Sequence, residues 1–104
     1  MMIRHIVALR FKAGTTAEEK AVIYAALEDL GQHIEGILGF RSFQNVSTEL
    51  AVVRGFSDLF WFDFRDIAVR DAYLIHPAHQ AAGARLVAAM EGGAEGIFVF
   101  DVEV

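Results

Sequence analysis

The chain has 104 residues, 55% hydrophobic and 22% charged, a balance that excludes a disordered segment and allows one domain, 1–104, around one core. A net charge of −5 leaves nothing to grip a phosphate backbone, so nucleic-acid binding is not expected. The absence of cysteine removes disulfides, thiolate zinc sites and cysteine nucleophiles.

The N-terminal stretch MMIRHIVALRFK carries too short an apolar run, broken by His5 and Arg10, to be a signal peptide. No run approaches the roughly 18 apolar residues of a membrane span. A cytoplasmic protein with no membrane contact is the expectation. Residues 3–12 alternate, with Ile3, His5, Val7, Leu9 and Phe11 on one face, and predict a strand ending at Gly14. Thr15 with Glu18 and Thr16 with Glu19 form overlapping capping boxes, so a helix starts there. Val22, Ile23, Ala26, Leu27, Leu30 and Ile34 recur at helical spacing, and the helix should stop near Gly36. Residues 37–46 read as a second strand and 47–55 as a loop. The stretch 57–66, SDLFWFDFRD, is the strongest strand: Asp58, Phe60, Phe62 and Phe64 share one face, Leu59, Trp61 and Asp63 the other. Residues 67–75 read as a short helix and 77–91 as a longer one, split by His76-Pro77. GGAEG breaks the chain at 92–96, and IFVFDVEV closes it as a fourth strand.

The order β-α-β-β-α-β is the ferredoxin-like pattern, an α+β fold with helices on one face of an antiparallel four-stranded sheet. Nothing in the chain remains to cover the other face, which carries Ile6, Leu59, Trp61, Phe43, Phe98 and Phe100. A bare apolar face of that size predicts a homodimer in which two sheets pack together.

Chemistry concentrates in YLIHPAHQ, Tyr73–Gln80. Pro77 favours the first position of a helix, which makes His76 the N-cap and puts His79 in the first turn. The positive end of the helix disfavours imidazolium there, and a neutral imidazole is what a general base needs. His79 shares a stripe with Ala82, Gly83, Leu86 and Met90, whose small members leave room for a small-molecule pocket. Two readings of His79 stand: a base, or a core histidine with its hydrogen bonds satisfied. Tyr73 is either a packed aromatic or a hydroxyl aimed at a ligand. His5 lies on the apolar face of the first strand. Asp58 begins the phenylalanine face, where it would orient His5 or His79 if bonded to either and would otherwise be a solvated strand end. Phe60 and Phe62 are core residues that, as pocket walls, favour apolar or aromatic ligands. No carboxylate or cysteine completes a metal set with His76 and His79, so no metal is expected.

The segments IRHIVALRFKAGTT, FRSFQNVS, DAYLIHPAH and FVFDVEV together resemble the stress-responsive A/B barrel family of dimeric α+β barrel proteins, over essentially the whole chain. Tyr73-x-x-His76-Pro77-x-His79 is the most specific part. The resemblance implies the dimeric barrel. It also implies a pocket like that of a plant polyketide cyclase of the family, which performs an aldol condensation without a redox cofactor. That cyclase's base and its assisting tyrosine match His79 and Tyr73, and a pocket histidine matches His5. Where it has a further pocket histidine this chain has Asp58, and where it has a first-helix tyrosine this chain has Leu27. The resemblance thus implies a cofactor-independent cyclase or lyase acting on a small apolar or aromatic carbonyl ligand. Two alternatives stand beside it: a ligand-binding or stress-associated dimer without turnover, and a cofactor-free monooxygenase.

Overall fold

Alternation of apolar and polar residues sets the two central strands. A computed structural model describes all residues, 1–104. In β1, Ile3–Leu9, and β3, Asp58–Phe64, every second residue is buried. The two pair antiparallel, with His5 opposite Phe62, Val7 opposite Phe60 and Leu9 opposite Asp58. β2, Ile37–Gln44, flanks β3, and β4, Ile97–Glu103, flanks β1, giving the order β2-β3-β1-β4 with every pairing antiparallel.

Helix α1, Ala17–Glu28, starts at a complete capping box between Thr16 and Glu19. Thr15 takes no part in it and donates its hydroxyl to the Lys12 carbonyl instead. The α-helix ends at Glu28, short of Gly36, and a 3₁₀ turn at Asp29–Gln32 carries the apolar stripe on. Leu30 and Ile34 stay buried because the Ile34 amide still bonds the Leu30 carbonyl four residues back. Within the expected loop a single helical turn forms, α2, Leu50–Val53.

Helices α3, Ile67–Ile75, and α4, Pro77–Ala88, meet at His76. α4 stops three residues before Glu91 because the chain turns back to β1 there. The Glu91 amide bonds the Arg10 carbonyl, and the Arg10 amide bonds the Gly96 carbonyl, both at 2.8 Å. Helices α1, α3 and α4 cover one face of the sheet, and the core of Val7, Leu9, Phe60, Phe62, Phe64, Leu27 and Leu86 lies between. The other face is bare within the chain: Phe98 is 57% and Phe100 46% exposed. Trp61 on that face packs at a tilt against Phe43 and lies under the Arg4 guanidinium, which is paired to Asp63. No helix is long and apolar enough to cross a membrane.

Candidate functional site

The α3–α4 junction builds the site. Asp66 caps α3 by accepting the Val69 amide at 3.0 Å. The helix runs to Ile75, and His76 is extended, as a residue before proline must be. Its Nδ1 accepts the Ala78 amide at 3.1 Å, so His76 is the N-cap of α4. His79 then lies in the first turn, with Nδ1 3.3 Å from the Leu74 carbonyl. A carbonyl only accepts, so Nδ1 carries the proton and Nε2 keeps a free lone pair. The His79 ring sits 4.0 Å from the Tyr73 ring, centre to centre. A Cβ on Gly83 would lie 4.0 Å from His79 Nε2, so the missing side chain is what leaves the space in front of that nitrogen open.

That space is part of a cavity of about 390 Å³ between α4 and the sheet. The structure brings His5, Leu27, Phe60, Tyr73, His79 and Gly83 together around it, with Val7, Gln80, Leu86 and Val99. Phe62 lies beneath, fully buried and packed on Tyr73 at 5.2 Å. Asp58 is elsewhere. It stands opposite Leu9, four residues along β3 from Phe62, the partner of His5, and thus roughly 13 Å down the strand. It accepts the Lys20 ammonium at 2.9 Å, so it orients neither His5 nor His79 and is not a solvated strand end either.

His5 is oriented by a residue on the last strand. Asp101 Oδ1 lies 2.7 Å from His5 Nδ1, and its Oδ2 accepts Arg70 Nη1 at 2.7 Å. Burial pushes the Asp101 carboxyl up, but the bonds from Arg70 and His5 outweigh it and hold the group below the usual carboxylate range. Burial raises Tyr73, and the nearby Asp101 charge adds to this, so its phenol stays neutral and able to donate. Burial also holds the His79 imidazole below its ordinary value, against the opposing bond to Leu74. The neutral state expected of His79 therefore arises chiefly from desolvation.

Asp101 and Arg70 were not legible as site neighbours. The signal was period two: Ile97, Val99 and Asp101 face the helices when Phe98 and Phe100 face outward. No group of three His, Asp or Glu side chains is close enough to hold a metal ion. A further hollow of about 420 Å³ lies between α2 and the bare face of the sheet, walled by Val52, Phe56, Leu59 and Phe98 and lacking any histidine.

The model of the stress responsive A/B barrel domain matches residues 3–104. The chain belongs to the stress-responsive A/B barrel family. A dimeric ferredoxin-like protein of unknown function from Jannaschia sp. is similar over 100% of both chains, with 35% identity and a TM-score of 0.85. The Arabidopsis thaliana protein At3g17210 is 22% identical, covers 98% of this chain and 94% of its own, and has a TM-score of 0.86. A hydroxynitrile lyase from Passiflora edulis is 17% identical over 99% of this chain and 93% of its own, with a TM-score of 0.82. These last two likenesses establish the ferredoxin-like fold alone. Among curated proteins none matches the chain.

Proposed function

We propose that the cavity beside Tyr73 and His79 binds a small apolar or aromatic carbonyl compound and acts on it as a cofactor-independent cyclase or lyase. The supporting observation is the free Nε2 of a neutral, carbonyl-anchored His79, facing a space left open by Gly83 and adjoining Tyr73. A carbon acid bound with its acidic C–H toward Nε2 gives that proton to His79. The electron pair moves toward the carbonyl oxygen, where the neutral Tyr73 hydroxyl donates a hydrogen bond to the developing charge. The carbanion then attacks a second carbonyl of the same molecule, and the alkoxide formed takes the proton back from His79. In the reverse sense His79 takes the hydroxyl proton, the carbon–carbon bond breaks, and His79 gives that proton to the carbanion. One neighbour of the same fold, from Passiflora edulis, is a hydroxynitrile lyase.

The test is His79→Ala, with turnover of a linear poly-β-keto thioester and binding of 2,4-dihydroxyacetophenone measured in parallel. The reading expects turnover to be lost while binding is retained. Unchanged turnover removes the base. Binding by the wild type with no turnover of any such thioester favours the second reading, a ligand-binding protein. That reading draws support from the few polar groups in the wall: His5, Tyr73, His79 and Gln80.

We further infer that the bare sheet face pairs with a second copy of this chain. Phe98 and Phe100 are too exposed for a stable monomer surface, the Trp61 Nε1 is buried without a partner, and the Jannaschia sp. relative is dimeric. A monomer by sedimentation at micromolar concentration would contradict this. The lack of cysteine fits a cytoplasmic location.

A further inference from the structure

Arg70 lies in the middle of α3 and does not line the cavity. Its guanidinium has two partners: Nε donates to Asp71 at 2.9 Å and Nη1 to Asp101 at 2.7 Å. Asp101 has one oxygen for Arg70 and the other for His5, whose side chain is only 7% exposed. His5 does line the cavity, and its ring meets Tyr73 edge-on at 5.6 Å.

We propose that Arg70 is a positioning residue for this cavity: through Asp101 it holds the His5 ring with Nδ1–H on the carboxylate, which leaves Nε2 as the nitrogen that can accept from a ligand. An ionised carboxylate only accepts, so the short contact to Asp101 puts the proton on His5 Nδ1. The Arg70 guanidinium pins Oδ2 of Asp101, which keeps Oδ1 turned to His5. Without Arg70 the carboxylate is free to rotate, and the His5 ring loses the bond that fixes its tautomer and its orientation against Tyr73. The consequence for the ligand rests on the proposed function above. With Nε2 of both histidines accepting and Tyr73 donating, the cavity prefers a neutral hydroxy-carbonyl compound to its methyl ether.

The test compares the wild type with Arg70→Met and Arg70→Lys. Histidine ring ¹⁵N spectra at neutral pH report which nitrogens carry protons. In the wild type His5 Nδ1 is pyrrole-like and Nε2 pyridine-like. In Arg70→Met the two His5 nitrogens move toward each other, to the averaged position of a ring exchanging between its tautomers, while His79 is unchanged, and Arg70→Lys restores the wild-type spectrum. An Arg70→Met spectrum identical to wild type at His5 overturns the proposal, as does a shift at His79 equal to that at His5. With 2,4-dihydroxyacetophenone and 2,4-dimethoxyacetophenone as probes, the wild type prefers the hydroxyl compound by about fivefold, the worth of one hydrogen bond, and Arg70→Met loses that preference. Retention of the preference in Arg70→Met also overturns it. The spectra need no ligand, so a failure of either probe to bind counts against the proposed function and leaves the spectra to decide the role of Arg70.

Discussion

Gly83→Ala and Gly83→Leu separate the two demands placed on α4. Gly83 sits inside that helix with an ordinary helical backbone, where glycine is about 0.8–1.0 kcal/mol less favourable than alanine. The nearest neighbour of an added Cβ is His79 Nε2 at 4.0 Å, an ordinary contact, so alanine meets no clash. Gly83→Ala should therefore stabilise the fold by about 1 kcal/mol and raise the melting temperature by roughly 4–8 °C. Gly83→Leu keeps the helical gain but drives its side chain into the space before Nε2, so 2,4-dihydroxyacetophenone binding should be abolished in a protein that still unfolds cooperatively. Calorimetric unfolding at matched protein concentration gives the first result, and isothermal titration the second. A melting temperature lowered by alanine, or ligand binding retained by the leucine variant, would refute the reasoning that glycine here serves the cavity and not the backbone.

Three further outcomes follow from the same geometry. Lys20→Met strands the buried Asp58 carboxylate and should cost about 3 kcal/mol in denaturant unfolding, whereas Lys20→Met with Asp58→Leu should recover most of it, since the pair is replaced by apolar contacts. Thr16→Ala removes the capping box of α1 and should cost about 1 kcal/mol by the same assay, with ligand binding untouched. The His79 imidazole sits below its ordinary value of 6.5, so as pH falls below 6.5 the unfolded chain takes up that proton before the folded one does. Stability at this site is full above 6.5 and declines beneath it. A histidine NMR titration should put the His79 midpoint below 6.5, and a midpoint above that value would contradict the burial argument.

Much of the fold was readable because its signals are local. Alternation in Ile3–Leu9 and Asp58–Phe64 marks which side chains meet the helices, and His76-Pro77 marks the junction that places His79. The sequence is less legible where geometry depends on distance along or across the sheet. Asp58 shares a face with Phe60, but period two does not say how far along the strand it stands from His5. Asp101 meets His5 across 96 residues of sequence, a contact that needs the β1–β4 register. Periodicity alone carries α1 past its end, because Leu30 and Ile34 keep helical spacing through a 3₁₀ turn. Tyr24 lies outside the apolar stripe read from α1, yet it packs on Phe11 and Phe40 with its hydroxyl buried and unpaired.

A titration of 2,4-dihydroxyacetophenone into histidine-labelled protein reports on all four imidazoles at once. The ring signals of His79 and His5 should shift together and saturate, while His33, exposed beside Asp29, and His76, held as the cap of α4, stay where they are. Shifts at His33 or His76 with His79 and His5 unmoved would place the ligand outside the cavity and contradict the assignment of Tyr73 and His79 as its working pair.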